Sequence, residues 1–231
     1  MPKAGADVLW ERLEGAGYDV LMRLPIVLFT LFFFYREVFA LRELIASRPY
    51  FGDEWHFFIT VAARISTMIF LVLLAALHLL RRRPVRKYTT WRPKITALTG
   101  LLIIYALMLV PRAEADARWD ALSAILLLAG NTLCILAVLD LARSLSIMPE
   151  ARTLVTTGLY ARIRHPLYLA EDIALLGIAL QFRSWQAAVV LAVHFYFQIR
   201  RMDWEEGILT AVFPEYAEYQ RRSSRLVPGL Y

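Results

Sequence analysis

Six hydrophobic runs, broken only by short polar segments, constrain this chain more than anything else in it. Val20–Ala46, Trp55–Leu80, Ile95–Val110 and Ala121–Leu141 come first. Each approaches the ~20 mostly apolar residues that a helix needs to cross the hydrocarbon core. Two shorter runs follow, Leu167–Phe182 and Trp185–Ile199, with only Arg183 and Ser184 between them. So tight a connection predicts an antiparallel helical hairpin. Pro93 stands just ahead of the third run, where it suits a helix start. With 59% hydrophobic residues in 231 and a mean hydropathy of +0.50, the chain reads as one integral membrane domain and not a soluble one. The expected fold is all-α: a polytopic membrane bundle of about six transmembrane helices, five if the first run lies along the interface. Residues 1–142 supply a four-helix part, and residues 143–231 carry the hairpin and most of the motifs.

The loops are charged unequally. Arg81, Arg82, Arg83, Arg86, Lys87, Arg92 and Lys94 lie between runs two and three with no acid among them. Arg143, Arg152, Arg162 and Arg164 precede run five, and the tail adds Arg221, Arg222 and Arg225. The alternate loops mix Arg48 with Asp53 and Glu54, and Arg112 and Arg118 with Glu114, Asp116 and Asp120. Basic residues gather on the cytoplasmic side of membrane proteins. Both termini and both polar clusters are therefore expected there, and the net charge of +6 speaks of lipid contact and topology rather than nucleic acid. No cleavable leader is expected, because a mixed polar stretch opens the chain and no small-residue cleavage site follows a short apolar core. Cys134, the single cysteine, sits in an apolar run and is expected to serve packing.

The first run raises a question of its own, since Arg36-Glu37 and Arg42-Glu43 interrupt it. A charge at mid-bilayer costs ~3 kcal/mol by insertion scales. Either these residues pair with Arg64 or line a polar interior, or the span ends near Tyr35 and an amphipathic turn follows.

Two polar constellations flank the terminal hairpin. The first is Thr153 to Tyr168, where Gly158 offers a permissive turn and His165-Pro166 signals the start of helix five. Arg164, His165 and Tyr168 then surround a helix N-terminus, which favours an anionic group. The same residues also suit a topology signal with an interfacial tyrosine. Glu171 and Asp172, just inside that helix, either cap it or serve a polar site. The second constellation follows the hairpin: His194, Gln198, Arg201 and Glu205 are spaced by four, three and four residues, which aligns them on one helical stripe. Such a stripe marks a wet cavity, or else a solvated helix end with His194 bonded inside the bundle.

Leu154-Val155-Thr156-Thr157-Gly158-Leu159-Tyr160, followed by Arg164-His165-Pro166-Leu167-Tyr168, resembles the cofactor-binding core of the isoprenylcysteine carboxyl methyltransferase and phospholipid methyltransferase superfamily. Arg201-Met202-Asp203-Trp204-Glu205-Glu206 and Phe213-Pro214-Glu215-Tyr216-Ala217-Glu218-Tyr219 are similar to its arginine with an acid pair and its aromatic tail. The likeness covers roughly residues 145 to 231. It implies S-adenosylmethionine as cofactor, bound in a cytoplasmic pocket at positions matching Arg152, Thr153, Leu154, Val155, Tyr160, His165, Pro166, Leu167, Tyr168 and Glu205. It places Arg201 on the substrate side, with Glu205 and Arg201 as the catalytic pair, and the stripe adds His194 and Gln198 as acceptor contacts. Departures from the pattern are Arg152 for a frequent histidine, Ala170 for a glycine, Leu145 for a polar contact and Pro214 for the tail glycine. No metal is expected.

Chemistry of this kind needs few protein groups, because a sulfonium activates its own methyl and the site has mainly to align and desolvate. A carboxylate acceptor needs no general base, whereas a neutral thiol or an amine must first lose a proton. The expected partners are the bilayer and a lipophilic acceptor: an isoprenylcysteine-like carboxylate, a phospholipid amine or a hydrophobic thiol. The short chain fits a bacterial inner-membrane protein, and the oligomeric state is not legible. Two other readings stand beside this one. Membrane sterol and steroid reductases, which use a reduced nicotinamide dinucleotide phosphate, have a similar Arg-His-Pro-x-Tyr element followed by acids, here Glu171-Asp172. A non-catalytic membrane protein of the same fold is the other.

Overall fold

The structure, a computed structural model, describes residues 23–48 and 54–229. Val20 to Met22 of the first hydrophobic run, Asp53 and both chain ends lie outside the described residues. The described chain is mostly helical. Four helical segments are long and apolar enough to cross a membrane: α1 (Leu24–Ala46), α2 (Glu54–Leu80), α3 with its continuation (Trp91–Leu109) and α4 with its continuation (Ala117–Ser144). Helices α5 (Pro166–Leu180), α6 (Trp185–Val212) and α7 (Tyr216–Arg222) complete the set.

Helix α1 runs unbroken past Tyr35 to Ala46. Arg64 of α2 explains how, since its Nη1 lies 2.9 Å from Glu37 Oε2 and the pair takes one acid of the interrupted run out of apolar surroundings. The third run changes geometry part-way: α3 is α-helical over Trp91–Leu102 and tightens to a 3-10 helix over Ile103–Leu109. Pro93 falls in the first turn of α3, where its missing N–H costs nothing. Helix α4 begins earlier than its apolar run because Asp116 caps it, accepting from the N–H groups of Arg118 and Trp119.

The expected all-α polytopic membrane bundle is the fold observed, and four of its helical segments meet the length and apolarity of a span among the described residues. The terminal hairpin forms, but neither of its arms is both long and apolar enough to qualify as a span. Helix α5 has 15 residues, about 22 Å at 1.5 Å per residue, short of a ~30 Å hydrocarbon core. Helix α6 has 28 residues but turns polar beyond Ile199.

Successive helices alternate in direction. Arg82 N–H donates to the Arg143 carbonyl at 2.8 Å, Val85 N–H to the Ala151 carbonyl at 2.7 Å, and Ser224 N–H to the Arg162 carbonyl at 2.9 Å. The three basic segments thus meet at one end of the bundle. At the other end Ala113 N–H donates to the Gln181 carbonyl at 3.1 Å, and Arg183 reaches the Glu114 carbonyl. A two-residue strand pair, absent from the expectations, ties the basic end together: β1 (Arg86–Lys87) pairs antiparallel with β2 (Glu150–Ala151), Arg86 opposite Ala151 and Lys87 opposite Glu150.

Small residues bring α4 and α5 into close contact. A Cβ on Gly130 would stand 2.8 Å from the Cα of Ala174, and one on Gly177 would stand 2.8 Å from the Ser123 carbonyl oxygen. Without a hydrophobic force between helices in lipid, such close approach is what packing energy depends on. Beside it lies a core cluster of Cys134, Ala137, Val138, Leu145, Tyr160, Leu167 and Ala170. The cysteine is buried there, as expected. This core anchors the N-terminal end of α5, where the site begins.

Candidate active site

The segment from Thr153 to His165 is held in place from three directions. Gly158 has φ +60°, a left-handed conformation that a side chain resists, and a Cβ there would collide with the Asp140 carboxylate. That carboxylate accepts the Leu159 N–H at 2.8 Å, fixing the loop to the end of α4. The tail closes over the loop from outside: Arg164 N–H donates to the Ser224 carbonyl at 2.8 Å and His165 N–H to the Arg225 carbonyl at 3.1 Å. From α7, the Tyr219 hydroxyl donates to the Tyr160 carbonyl at 2.6 Å. Pro166 then opens α5 as its first residue, without any side-chain cap.

Across the hairpin, α5 and α6 meet through long polar side chains. Tyr168 donates its hydroxyl to Glu205, and His165 stacks on the Tyr168 ring with centroids 5.4 Å apart and planes at 3°. His165 Nδ1 lies 3.9 Å from Glu205 Oε2 and its Nε2 lies 3.1 Å from Glu206 Oε1. Glu206 also accepts from Arg164 Nε at 2.9 Å, and its Oε1 lies 3.3 Å from Arg225 Nε. Burial alone would raise the Glu206 carboxyl, but the hydrogen bonds from His165 and Arg164 and the charges of His165 and Arg225 outweigh it. They hold the group down at about 2.

Deeper in the bundle the stripe on α6 continues. Arg201 is buried, with its guanidinium 4.7 Å from the centre of the Tyr168 ring. Its Nη1 donates to Gln198 Oε1 at 2.9 Å and its Nη2 to the Ile147 carbonyl at 3.4 Å. Gln198 donates in turn to Glu171 Oε2 at 3.1 Å. His194 Nδ1 lies 3.0 Å from the Gly100 carbonyl, which can only accept, so Nδ1 carries a proton. Its Nε2 faces Asp172 Oδ1 at 3.2 Å. The stripe is therefore the buried face of α6, while Val189, Phe195, Tyr196 and Ile199 are exposed on the others.

A cleft enclosing about 790 Å³ of space open to solvent lies at the basic end of the bundle. Its lining includes Arg152, Thr153, Leu154, Val155, Tyr160, His165, Leu167, Tyr168 and Glu205. Of the ten positions expected to contact a cofactor, Pro166 alone is absent from this wall. Arg201, Gln198 and His194 do not line the cleft either. They form a layer behind Tyr168, and the acids Glu171 and Asp172 engage Gln198 and His194 instead of the cleft.

Residues 119–216 match the phospholipid methyltransferase family. This is the superfamily that the loop and acid-pair motifs resemble, and the matched stretch runs from the first turn of α4 to the first residue of α7. Two curated bacterial relatives are also similar. The cobalt-zinc-cadmium resistance protein CzcN of Cupriavidus metallidurans is 40% identical over 81 residues, covering 34% of this chain and 37% of its own length. The nickel-cobalt-cadmium resistance protein NccN of Alcaligenes xylosoxydans xylosoxydans is 31% identical over 135 residues, covering 55% of this chain and 62% of its own. The chain thus spans less than two thirds of the length of either relative.

Several cleft residues carried no signal in the sequence. Glu150 lines the wall and pairs with buried Arg152 at 2.5 Å, a contact between residues two apart at the end of β2. Leu141, Ser144, Ser146 and Met148 reach the cleft from the end of α4 and the chain just after it, and no pattern marks them; Leu145, beside them, stands at the position noted as a departure from the family pattern. Tyr216 and Tyr219 also line it. Their spacing in the tail motif was the one available hint.

Proposed function

We propose that the protein is an S-adenosylmethionine-dependent methyltransferase acting on a lipophilic, membrane-borne acceptor. One observation carries the reading: positions from three separated segments, residues 152–155, residues 160–168 and Glu205, converge on one cleft inside the stretch that matches the phospholipid methyltransferase family. Its wall mixes apolar Leu141, Val155, Leu167 and Ile208 with acidic Glu150 and Glu205 and basic Arg164 and His165. That donor set fits a ligand with a hydrophobic purine, ribose hydroxyls and an amino-acid head.

When bound, the cofactor supplies a methyl group already activated by its sulfonium. The protein's tasks are orientation and exclusion of water. His165 and the N–H groups of Leu167 and Tyr168, which have no partner within the first turn of α5, hold the carboxylate end. Glu205, fixed by Tyr168, receives hydroxyl or amino protons. Arg201, behind the Tyr168 ring, positions Tyr168 and, with Gln198 and His194, faces the acceptor side from within the bundle. The basic end of the bundle faces the cytoplasm in this reading, and a bacterial inner membrane is the setting. The relatives' names speak of metal resistance and leave the acceptor open; an isoprenylcysteine-like carboxylate, a phospholipid amine and a hydrophobic thiol remain in play.

The test is ligand protection of the purified full chain in detergent. S-adenosylhomocysteine is expected to raise the melting temperature, and the rise is expected to vanish in Glu205→Ala and His165→Ala. Protection by the reduced nicotinamide dinucleotide phosphate alone would instead make this a reductase. Protection by neither would leave a non-catalytic protein. Membranes incubated with methyl-labelled cofactor would then identify the acceptor by the lipid fraction that carries label.

A further inference from the structure

None of the cations between α2 and α3 lines the cleft described above. Seven basic residues and no acid occupy positions 81 to 94. Arg82, Arg83, Arg86, Lys87, Arg92 and Lys94 are exposed. Arg92 and Lys94 sit in the first turn of α3, which contains no acidic residue and whose dipole disfavours cations there. Interleaved with them are large apolar side chains at the surface: Leu80 at 60%, Val85 at 69% and Trp91 at 65% exposure. Cations mixed with an exposed tryptophan at the end of a spanning helix match the chemistry of the bilayer interface, where an anionic headgroup meets acyl chain.

The segment is fastened to the cleft wall. Lys87 stands opposite Glu150 and Arg86 opposite Ala151 in the β1–β2 pair, and Arg82 Nη1 lies 3.4 Å from the Thr153 hydroxyl. Glu150 and Thr153 both line the cleft. We propose that residues 82–92 form a docking surface for the phosphate headgroups of anionic phospholipids, set beside the cleft so that the site works against a locally anionic lipid surface. Each exposed cation near an anionic leaflet contributes about fivefold in affinity, so the charges together make the surface selective. Because the attraction is electrostatic at exposed positions, it weakens with salt.

The surface is tested by binding alone, without methyl transfer, so the outcome is independent of the cofactor assignment. Fluorescently labelled phosphatidylglycerol and phosphatidylcholine are titrated against the full-length protein in neutral detergent at low and high salt. The expected result is preferential phosphatidylglycerol binding that falls with salt. The triple variant Arg83→Gln, Arg86→Gln and Lys87→Gln, at exposed positions remote from the core, is expected to lose at least about tenfold of that affinity. Neutralising Arg48, Arg112 and Arg118 at the opposite end is expected to leave it unchanged. Equal binding of the two lipids by the wild type, or equal loss from both sets of substitutions, overturns the proposal. Displacement by equimolar free glycerophosphate overturns the assignment to a lipid.

Discussion

The guanidinium of Arg201 lies 4.7 Å from the centre of the Tyr168 ring, and the hydroxyl of the same ring donates to Glu205. Tyr168 therefore joins two environments. Its hydroxyl belongs to the cleft wall, and its ring carries the buried cation of the layer behind. A desolvated cation–π contact is worth ~2 kcal/mol, so the ring matters to the bundle and the hydroxyl to the cleft. Tyr168→Phe separates the two. It is expected to keep the melting temperature within a few degrees while weakening S-adenosylhomocysteine about fivefold, the equivalent of one ~1 kcal/mol hydrogen bond. Tyr168→Ala is expected to lose both. Unchanged affinity in Tyr168→Phe, measured by calorimetry in detergent, would show that the Tyr168–Glu205 link plays no part in cofactor binding.

Glu206 makes the stability of the site depend on pH in a defined direction. Its carboxyl is held at about 2 in the folded protein against an ordinary 4.5, burial being outweighed by His165, Arg164 and Arg225. A depressed acid contributes stability above its unfolded value and loses it as pH falls toward its folded one. At ~1.4 kcal/mol per unit, the contribution at neutral pH is about 3 kcal/mol. The melting temperature of the wild type is expected to fall between about pH 4.5 and pH 2. Glu206→Gln is expected to start lower and to decline less steeply over that window. Parallel curves for the two proteins would show that the carboxylate does not fasten α6 to the loop and tail.

Gly158 and Asp140 form a coupled pair. The glycine has φ +60° and its missing Cβ is the space occupied by the Asp140 carboxylate, which accepts the Leu159 N–H at 2.8 Å. Gly158→Ala is expected to cost more than 2 kcal/mol, combining ~1 kcal/mol of backbone strain with a forced displacement of the carboxylate. In an Asp140→Ala background only the strain should remain, about 1 kcal/mol. A double-mutant cycle on thermal unfolding reads the difference directly. Additive effects would mean that the loop does not lean on α4 at this point.

How much of this was legible in the sequence depends on the range of the interaction involved. The apolar runs, the Pro166 helix start, the Gly158 turn and the α6 stripe are local patterns, and each reappears at its expected place. A charge in the first run demands a partner, and Arg64, the cation that the next run offers, pairs with Glu37. The lengths of α5 and α6 were less legible. Hydropathy shows where apolar residues stop, whereas α6 continues to Val212 because polar partners from the loop and tail support its second half. Long-range choices left no trace at all. Nothing about Glu150 or Lys87 foretells that they face each other across β1 and β2, and nothing foretells that Arg201 would stand behind Tyr168 and not in the cleft.

The glycines of the bundle make the last prediction, because their surroundings differ in a way that ranks them. A Cβ on Gly130 would meet backbone atoms of Ala174, with its N at 2.5 Å and its Cα at 2.8 Å, and a Cβ on Gly177 would meet the Ser123 carbonyl oxygen at 2.8 Å. Backbone cannot swing aside, so an alanine at either position must push α5 away from α4. A Cβ on Gly100 would meet Arg201 Cδ at 3.2 Å and the Cβ of Phe197 at 3.3 Å, contacts that a displacement of a few tenths of an ångström relieves. Overpacking of the first kind costs ~1–3 kcal/mol. Helix α5 carries Pro166, Leu167 and Tyr168 at the cleft, so its displacement is expected to reach the cofactor. Gly130→Ala is therefore expected to lower both the melting temperature and S-adenosylhomocysteine affinity, with Gly177→Ala acting mainly on stability because it lies toward the far end of α5. Gly100→Ala is expected to change neither much. Equal effects at Gly130 and Gly100 would show that the cleft does not depend on how closely α5 sits against α4.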